Sequence, residues 1–133
     1  SKGDEPLIKD FDIMDDENQL NLTDSILSLE RVLLFISYDI EKTNIKAHNL
    51  MNNNILMHLR LRNIPIYGLS SSSKKDVKKH LSKEILDYSY FSVDQTTLKT
   101  IIRSNPGLIM LEKGVVTNKW HWRDIPEDWS IIH

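Results

Sequence analysis

The stretch Ser104-Asn105-Pro106-Gly107-Leu108-Ile109-Met110-Leu111-Glu112-Lys113-Gly114-Val115-Val116-Thr117-Asn118-Lys119-Trp120-His121-Trp122 decides how this chain folds. Proline has no N–H to give to a ladder, so Pro106 belongs at the start or edge of a strand. Gly107 to Leu111 is then a continuous apolar run, the pattern of a strand covered on both faces. Glu112-Lys113-Gly114 reverses the chain, glycine taking a positive φ without steric cost. On the return, Val115, Thr117, Lys119 and His121 alternate with Val116, Asn118, Trp120 and Trp122, the two-residue period of a strand.

Working backwards from this hairpin, Asp94 or Thr96 can cap a helix through Leu98, Ile101 and Ile102. Asn105-Pro106 stops it, because the residue before a proline avoids helical geometry. Tyr88 to Val93 is short and reads as an edge strand. Ser73, with Asp76 three residues on, resembles a capping box for a helix marked by Val77, Leu81 and Ile85. Lys74, Lys75, Lys78, Lys79 and Lys83 make that helix basic, most simply as a solvated face, otherwise as a dock for an acidic partner. Asn63 to Leu69 is a buried strand with Pro65 near its beginning.

Arg31-Val32-Leu33-Leu34-Phe35-Ile36-Ser37-Tyr38 is the strongest strand in the chain, continuous and apolar, hence central. Thr43 or Asn44 can cap the helix that follows, expected to run to about Leu61 with Ala47, Leu50, Met51, Ile55, Leu56 and Leu59 on its apolar stripe. Asn52-Asn53-Asn54 interrupts that stripe with poor helix formers. Near the start, Leu7 to Asp12 alternates weakly, Met14 to Gln19 has turn composition, and Leu20 and Leu22 resume alternation, predicting a short hairpin. Thr23 or Asp24 then caps a turn or two of helix through Ile26, Leu27 and Leu29.

The 133 residues suit one domain, expected to span 1–133 with a disordered start over 1–6 and a C-terminal tail over 123–133. A net charge of −2 is too small to imply nucleic acid as a partner. No run approaches the roughly 20 apolar residues that cross a bilayer. The polar opening Ser1 to Glu5 reads as the beginning of a segment cut from a longer protein. With no cysteine, disulfides, thiolate metal sites and thiol catalysis are all excluded for this chain. Strands alternating with helices, closed by an antiparallel hairpin, predict an α/β fold in which a central mixed sheet is flanked by helices, with an N-terminal β-hairpin extension.

This order, with Asn-Pro ahead of the last hairpin, resembles the thioredoxin fold. Three blocks are similar, more narrowly, to the soluble C-terminal domain of DoxX-like bacterial membrane proteins. They are Leu34 to Asn44, Gly68 to Ser72, and Val93 to Gly107 with its hairpin and Trp120-His121, together covering about Ile8 to Asp124. The resemblance implies a membrane-anchored domain on the extracytoplasmic (periplasmic) side and a cis peptide bond before Pro106. It implies no activity. In redox members of the thioredoxin fold, two cysteines separated by two residues open the helix after the central strand. Counting from Val32-Leu33-Leu34, those positions fall on Glu41 and Asn44.

The candidate site is therefore Glu41, Lys42, Thr43 and Asn44 beside Asn105 and Pro106, a remodelled pocket whose backbone could hold an extended peptide or a small anion. The simpler reading is a vestigial loop in which Thr43 or Asn44 only caps the helix. The histidines form no metal pattern: His48 and His58 are ten apart on a helix and face different ways, and no cofactor motif is present. His121 and Asp124 are expected to share a hydrogen bond that closes the sheet end, and Trp120 and Trp122 to be core or helix-covered. The expected function is a non-catalytic, partner-binding module tethered to a membrane protein. The alternative is an accessory domain in thiol–disulfide exchange that uses cysteines from the membrane part or another chain.

Overall fold

The computed structural model describes residues 5–6, 11–49, 63–81 and 88–124. The strands in chain order are β1 (Glu5–Pro6), β2 (Met14–Asp15), β3 (Leu20–Asn21), β4 (Val32–Ile36), β5 (Ile66–Ser70), β6 (Tyr90–Ser92), β7 (Gly107–Glu112) and β8 (Val115–His121). The helices are α1 (Thr23–Leu27), α2 (of which residues 45–49 are described), α3 (Lys74–His80) and α4 (Gln95–Ile101). The expected tail of the second helix, with His58, and the continuation of the third past Leu81 lie outside the described residues.

All eight strands join one sheet in the order β1-β8-β7-β4-β5-β6-β2-β3. β4 runs parallel to β5 and antiparallel to β7, and its five residues are fully buried. That is why the sequence there is apolar at every position rather than at alternate ones. Val32, Leu34 and Ile36 pack with Ile109, Leu111 and Val116 against α1 (Ile26) and α4 (Leu98, Ile101, Ile102). On the opposite face, Leu33 and Phe35 pack with Leu108, Met110 and Ile64, flanked by Trp120 and Trp122. The His48 ring lies 4.7 Å from that of Phe35, which puts α2 on this second face. α3 closes the layer, with Val77 and Leu81 against Ile40 and Tyr90.

Capping chemistry sets the helix starts. Ser73 Oγ accepts from Asp76 N–H at 3.1 Å, and Asp94 Oδ2 accepts from Thr97 N–H at 3.2 Å. The β7–β8 turn is Lys113-Gly114 with φ of +50° and +81°, the left-handed pair that matches strand twist in a two-residue hairpin.

Several expectations are corrected. The N-terminal hairpin exists, but its first arm is Met14–Asp15, within the segment whose composition suggests a turn. α1 is capped by neither Thr23 nor Asp24: Thr23 is its first residue, and Asn21 Oδ1 accepts Thr23 N–H at 3.0 Å. β6 is not an edge, since Met14 of β2 pairs with Ser92 on its far side. Glu5–Pro6, expected to be disordered, pairs with Val115 and Val116.

The regular alternation read into Val115–Trp122 is broken as well. Met110 faces Asn118 but Leu111 faces Val116, so Thr117 is an extra residue, a bulge. Val116 consequently packs on the α4 face while Trp120, of the same parity, packs on the other. Finally, Nδ1 of His121 accepts from Arg123 N–H at 3.4 Å in place of the expected bond with Asp124.

Candidate functional site

β4 ends at Ile36, and the chain turns through Tyr38 into a single 3-10 turn, Ile40–Lys42, before α2 begins. Asp39 starts that turn by accepting Glu41 N–H at 3.1 Å. Asn44 caps α2: its Oδ1 accepts Ala47 N–H at 3.0 Å and its carbonyl accepts His48 N–H at 2.9 Å. Of the two caps the sequence allows, Asn44 is the one used.

Asn105 organises the other half. The Asn105–Pro106 peptide bond is cis, as the resemblance implies. Asn105 Oδ1 accepts from Thr43 Oγ1 at 2.7 Å, its Nδ2 donates to Asp39 carbonyl at 2.8 Å, and its backbone carbonyl accepts Asn44 N–H at 3.2 Å. Three bonds from one residue therefore clamp the segment 39–44. Next to it, the buried Ser104 hydroxyl donates to Pro106 carbonyl and accepts Trp122 N–H, tying the loop to the end of β8. Ser72 Oγ accepts Ile40 N–H at 3.1 Å, which adds the β5–α3 loop to the same end of the sheet.

Thus the structure brings together Thr43, Asn44, Asn105 and Pro106, while Glu41 and Lys42 stand exposed at the rim, their side chains without a partner among the described residues. Thr43 is buried and its hydroxyl is engaged by Asn105. The polar groups expected to greet a ligand at the proline loop bind one another instead: the carbonyl before Pro106 is already occupied by Asn44 N–H. Among the described residues no group of His, Asp and Glu is arranged to hold a metal ion, and no helix is long and apolar enough to cross a membrane.

One residue of this region enters the sequence reading only as an unmatched metal ligand. His48, one helical turn past Asn44, is fully buried, with Nε2 3.0 Å from Tyr90 hydroxyl. Burial penalises the charged imidazolium and holds its pKa down to about 4, so His48 is neutral at pH 7. Burial likewise pushes the Tyr90 phenol well above its ordinary value. The available signal was helical spacing: His48 neighbours Ala47 and Met51 on the stripe expected to face the core.

No protein-family model and no curated protein matches the sequence. Solved structures do match its fold. The Sco-family cytochrome c oxidase assembly protein BsSco superposes with a TM-score of 0.67, at 14% identity over 98% of this chain and 92% of that one. A proposed thiol:disulfide interchange protein DsbE from Chlorobium tepidum gives 0.65, at 10% identity over 90% of this chain and 84% of that one. Tryparedoxin from Trypanosoma brucei gives 0.56, at 12% identity over 92% and 90%. This chain has a thioredoxin-like fold. Within it, the 3-10 turn and α2 cap occupy the head of the helix after the central strand. The chain carries a carboxylate at position 41, an amide at position 44 and no thiol.

Proposed function

We propose that this is a non-catalytic thioredoxin-like domain that binds or organises a protein partner and is tethered, on the extracytoplasmic side, to a membrane protein. The observation that carries this reading is the clamp around Asn105, three hydrogen bonds that hold residues 39–44 next to Pro106 in a chain without cysteine; the count along the sequence that puts Glu41 and Asn44 at the cysteine positions of redox relatives supports it. Disulfide exchange requires a thiolate as attacking group, and neither a carboxylate nor an amide can supply one. With the polar groups of the loop satisfied by one another, the exposed Glu41 and Lys42 at its rim are what a partner would meet. The tether and its location rest on the resemblance of Leu34–Asn44, Gly68–Ser72 and Val93–Gly107 to the soluble region of DoxX-like proteins.

The second reading, an accessory domain in thiol–disulfide exchange with cysteines from another chain or segment, draws support from the fold shared with the DsbE-type protein and tryparedoxin. Two measurements test these readings. The pure chain should leave the rate of insulin reduction by dithiothreitol unchanged; acceleration would overturn the non-catalytic reading. In its native cells, the parent protein should sediment with membranes and its domain should be cleaved by protease added from outside. A soluble or protected domain would remove the tether or its location.

A further inference from the structure

Beside the clamp runs a groove of about 720 Å³ lined by Tyr38, Thr96, Lys99, Thr100, Ile102 and Arg103, among others. Thr96, Lys99 and Thr100 stand at i, i+3 and i+4 on α4 and so share one face of that helix. Tyr38, just past the end of β4, belongs to the same lining. Arg103 lies two residues before Asn105 in sequence. Of its lining, Tyr38 is half-buried and Lys99 and Arg103 are exposed.

The two cations are poorly compensated. Lys99 Nζ sits 5.2 Å from the centroid of the Tyr38 ring, a cation–π contact that leaves its charge unneutralised. The carboxylates close in sequence are engaged elsewhere, Asp39 with Glu41 N–H and Asp94 with Thr97 N–H. Among the described residues no ion pair to Lys99 or Arg103 is formed. In a chain of net charge −2, this is a local positive site next to an apolar surface.

From this juxtaposition we infer that the groove docks an extended acidic protein segment, with a carboxylate between Lys99 and Arg103 and an apolar side chain on Tyr38. A small inorganic anion would use only the two cations, whereas a peptide uses Tyr38 as well. The inference rests on the partner-binding reading and gives that partner a chemistry and a place. α3 is also basic, but none of its residues lines this groove.

The test is a titration of the isotope-labelled chain, followed by amide NMR, with a capped peptide of alternating glutamate and leucine. Its glutamine–leucine counterpart, inorganic phosphate, and vesicles of phosphatidylglycerol and phosphatidylcholine are run in parallel. Saturable shifts confined to Tyr38, Thr96, Lys99, Thr100 and Arg103, seen with the glutamate peptide and absent with the glutamine peptide, support the inference. So does a loss of affinity of about tenfold in Lys99→Glu combined with Arg103→Glu, both exposed positions, and a similar loss on raising salt from about 50 to about 500 mM. Equal binding of both peptides, or phosphate binding as tightly as the peptide, would overturn it. So would binding to vesicles alone, shifts that map to α3, or no shift at all. Peptide binding that ignores both charge reversals but is lost in Asn105→Ala would overturn the groove while leaving partner binding at the clamp intact. Failure of the non-catalytic reading would instead appear as insulin reduction.

Discussion

Replacing His48 with glutamine should flatten the acid side of the stability curve. In the folded chain the buried imidazole has a pKa of about 4, against 6.5 for an unhindered histidine. As pH falls, the unfolded chain takes up the proton first, so folding loses stability as pH drops from about 6.5 to about 4. The full contribution is present above that window and gone below it. At 1.36 kcal/mol per pKa unit, the whole effect is about 3 kcal/mol, of which about 1.4 kcal/mol falls between pH 7.5 and 5.5. With a urea m-value of about 1.5 kcal/mol/M, that smaller share is a midpoint shift of roughly 1 M. His48→Gln keeps a donor able to reach Tyr90 hydroxyl but has nothing to titrate. Urea unfolding followed by tryptophan fluorescence at both pH values gives the comparison, and every other titrating group is common to both proteins. The wild type should lose about 1 M more of its midpoint than the variant. Equal losses would mean that His48 is protonated as easily folded as unfolded, and its placement against Phe35 and Tyr90 would be wrong.

Thr43→Val should cost about 1–2 kcal/mol by leaving Asn105 Oδ1 without its donor, while Thr43→Ser should recover most of that in the same unfolding assay. Gly68→Ala should destabilise by about 1–3 kcal/mol, because a Cβ there would lie 2.6 Å from the Tyr90 ring; an unchanged midpoint would refute the β5–β6 register. Glu41→Cys with Asn44→Cys should form an intramolecular disulfide under mild oxidant, at a cost of about 1 kcal/mol in the reduced protein for the lost cap. Thiols that stay apart in a folded protein, by mass spectrometry after alkylation, would displace the alignment of residues 41–44.

The central strands were legible because burial on both faces leaves no polar position: Val32–Ile36 and Gly107–Leu111 are apolar runs too short for a buried helix. What escaped was set by distant partners. Met14–Asp15 has turn composition and is a strand only because Ser92 lies beside it. The bulge at Thr117 adds one residue without disturbing the visible alternation, so nothing local betrays the change of face between Val116 and Trp120. For the site, the order of strands and helices and the proline ahead of the last hairpin were enough to expect Thr43 and Asn44 beside Asn105 and Pro106. The clamp itself was hidden, since Thr43 and Asn105 are 62 residues apart and either could equally have faced solvent. Lys99 and Arg103 drew no notice as two cations in an ordinary helix and loop. Only the fold sets them in one groove.

The strand order also has a consequence for where the sheet is vulnerable. Glu5–Pro6 covers β8 on one flank, while Met14–Asp15, with Leu20–Asn21 beyond it, covers β6 on the other. The same twenty-odd residues thus guard both margins of the sheet. Clipping the chain after Asn21 would bare two unpaired ladders at once, one belonging to a parallel array, and each is a template for the strand of another molecule. This N-terminal segment acts as a selvedge, a woven border that keeps the fabric from joining its neighbours.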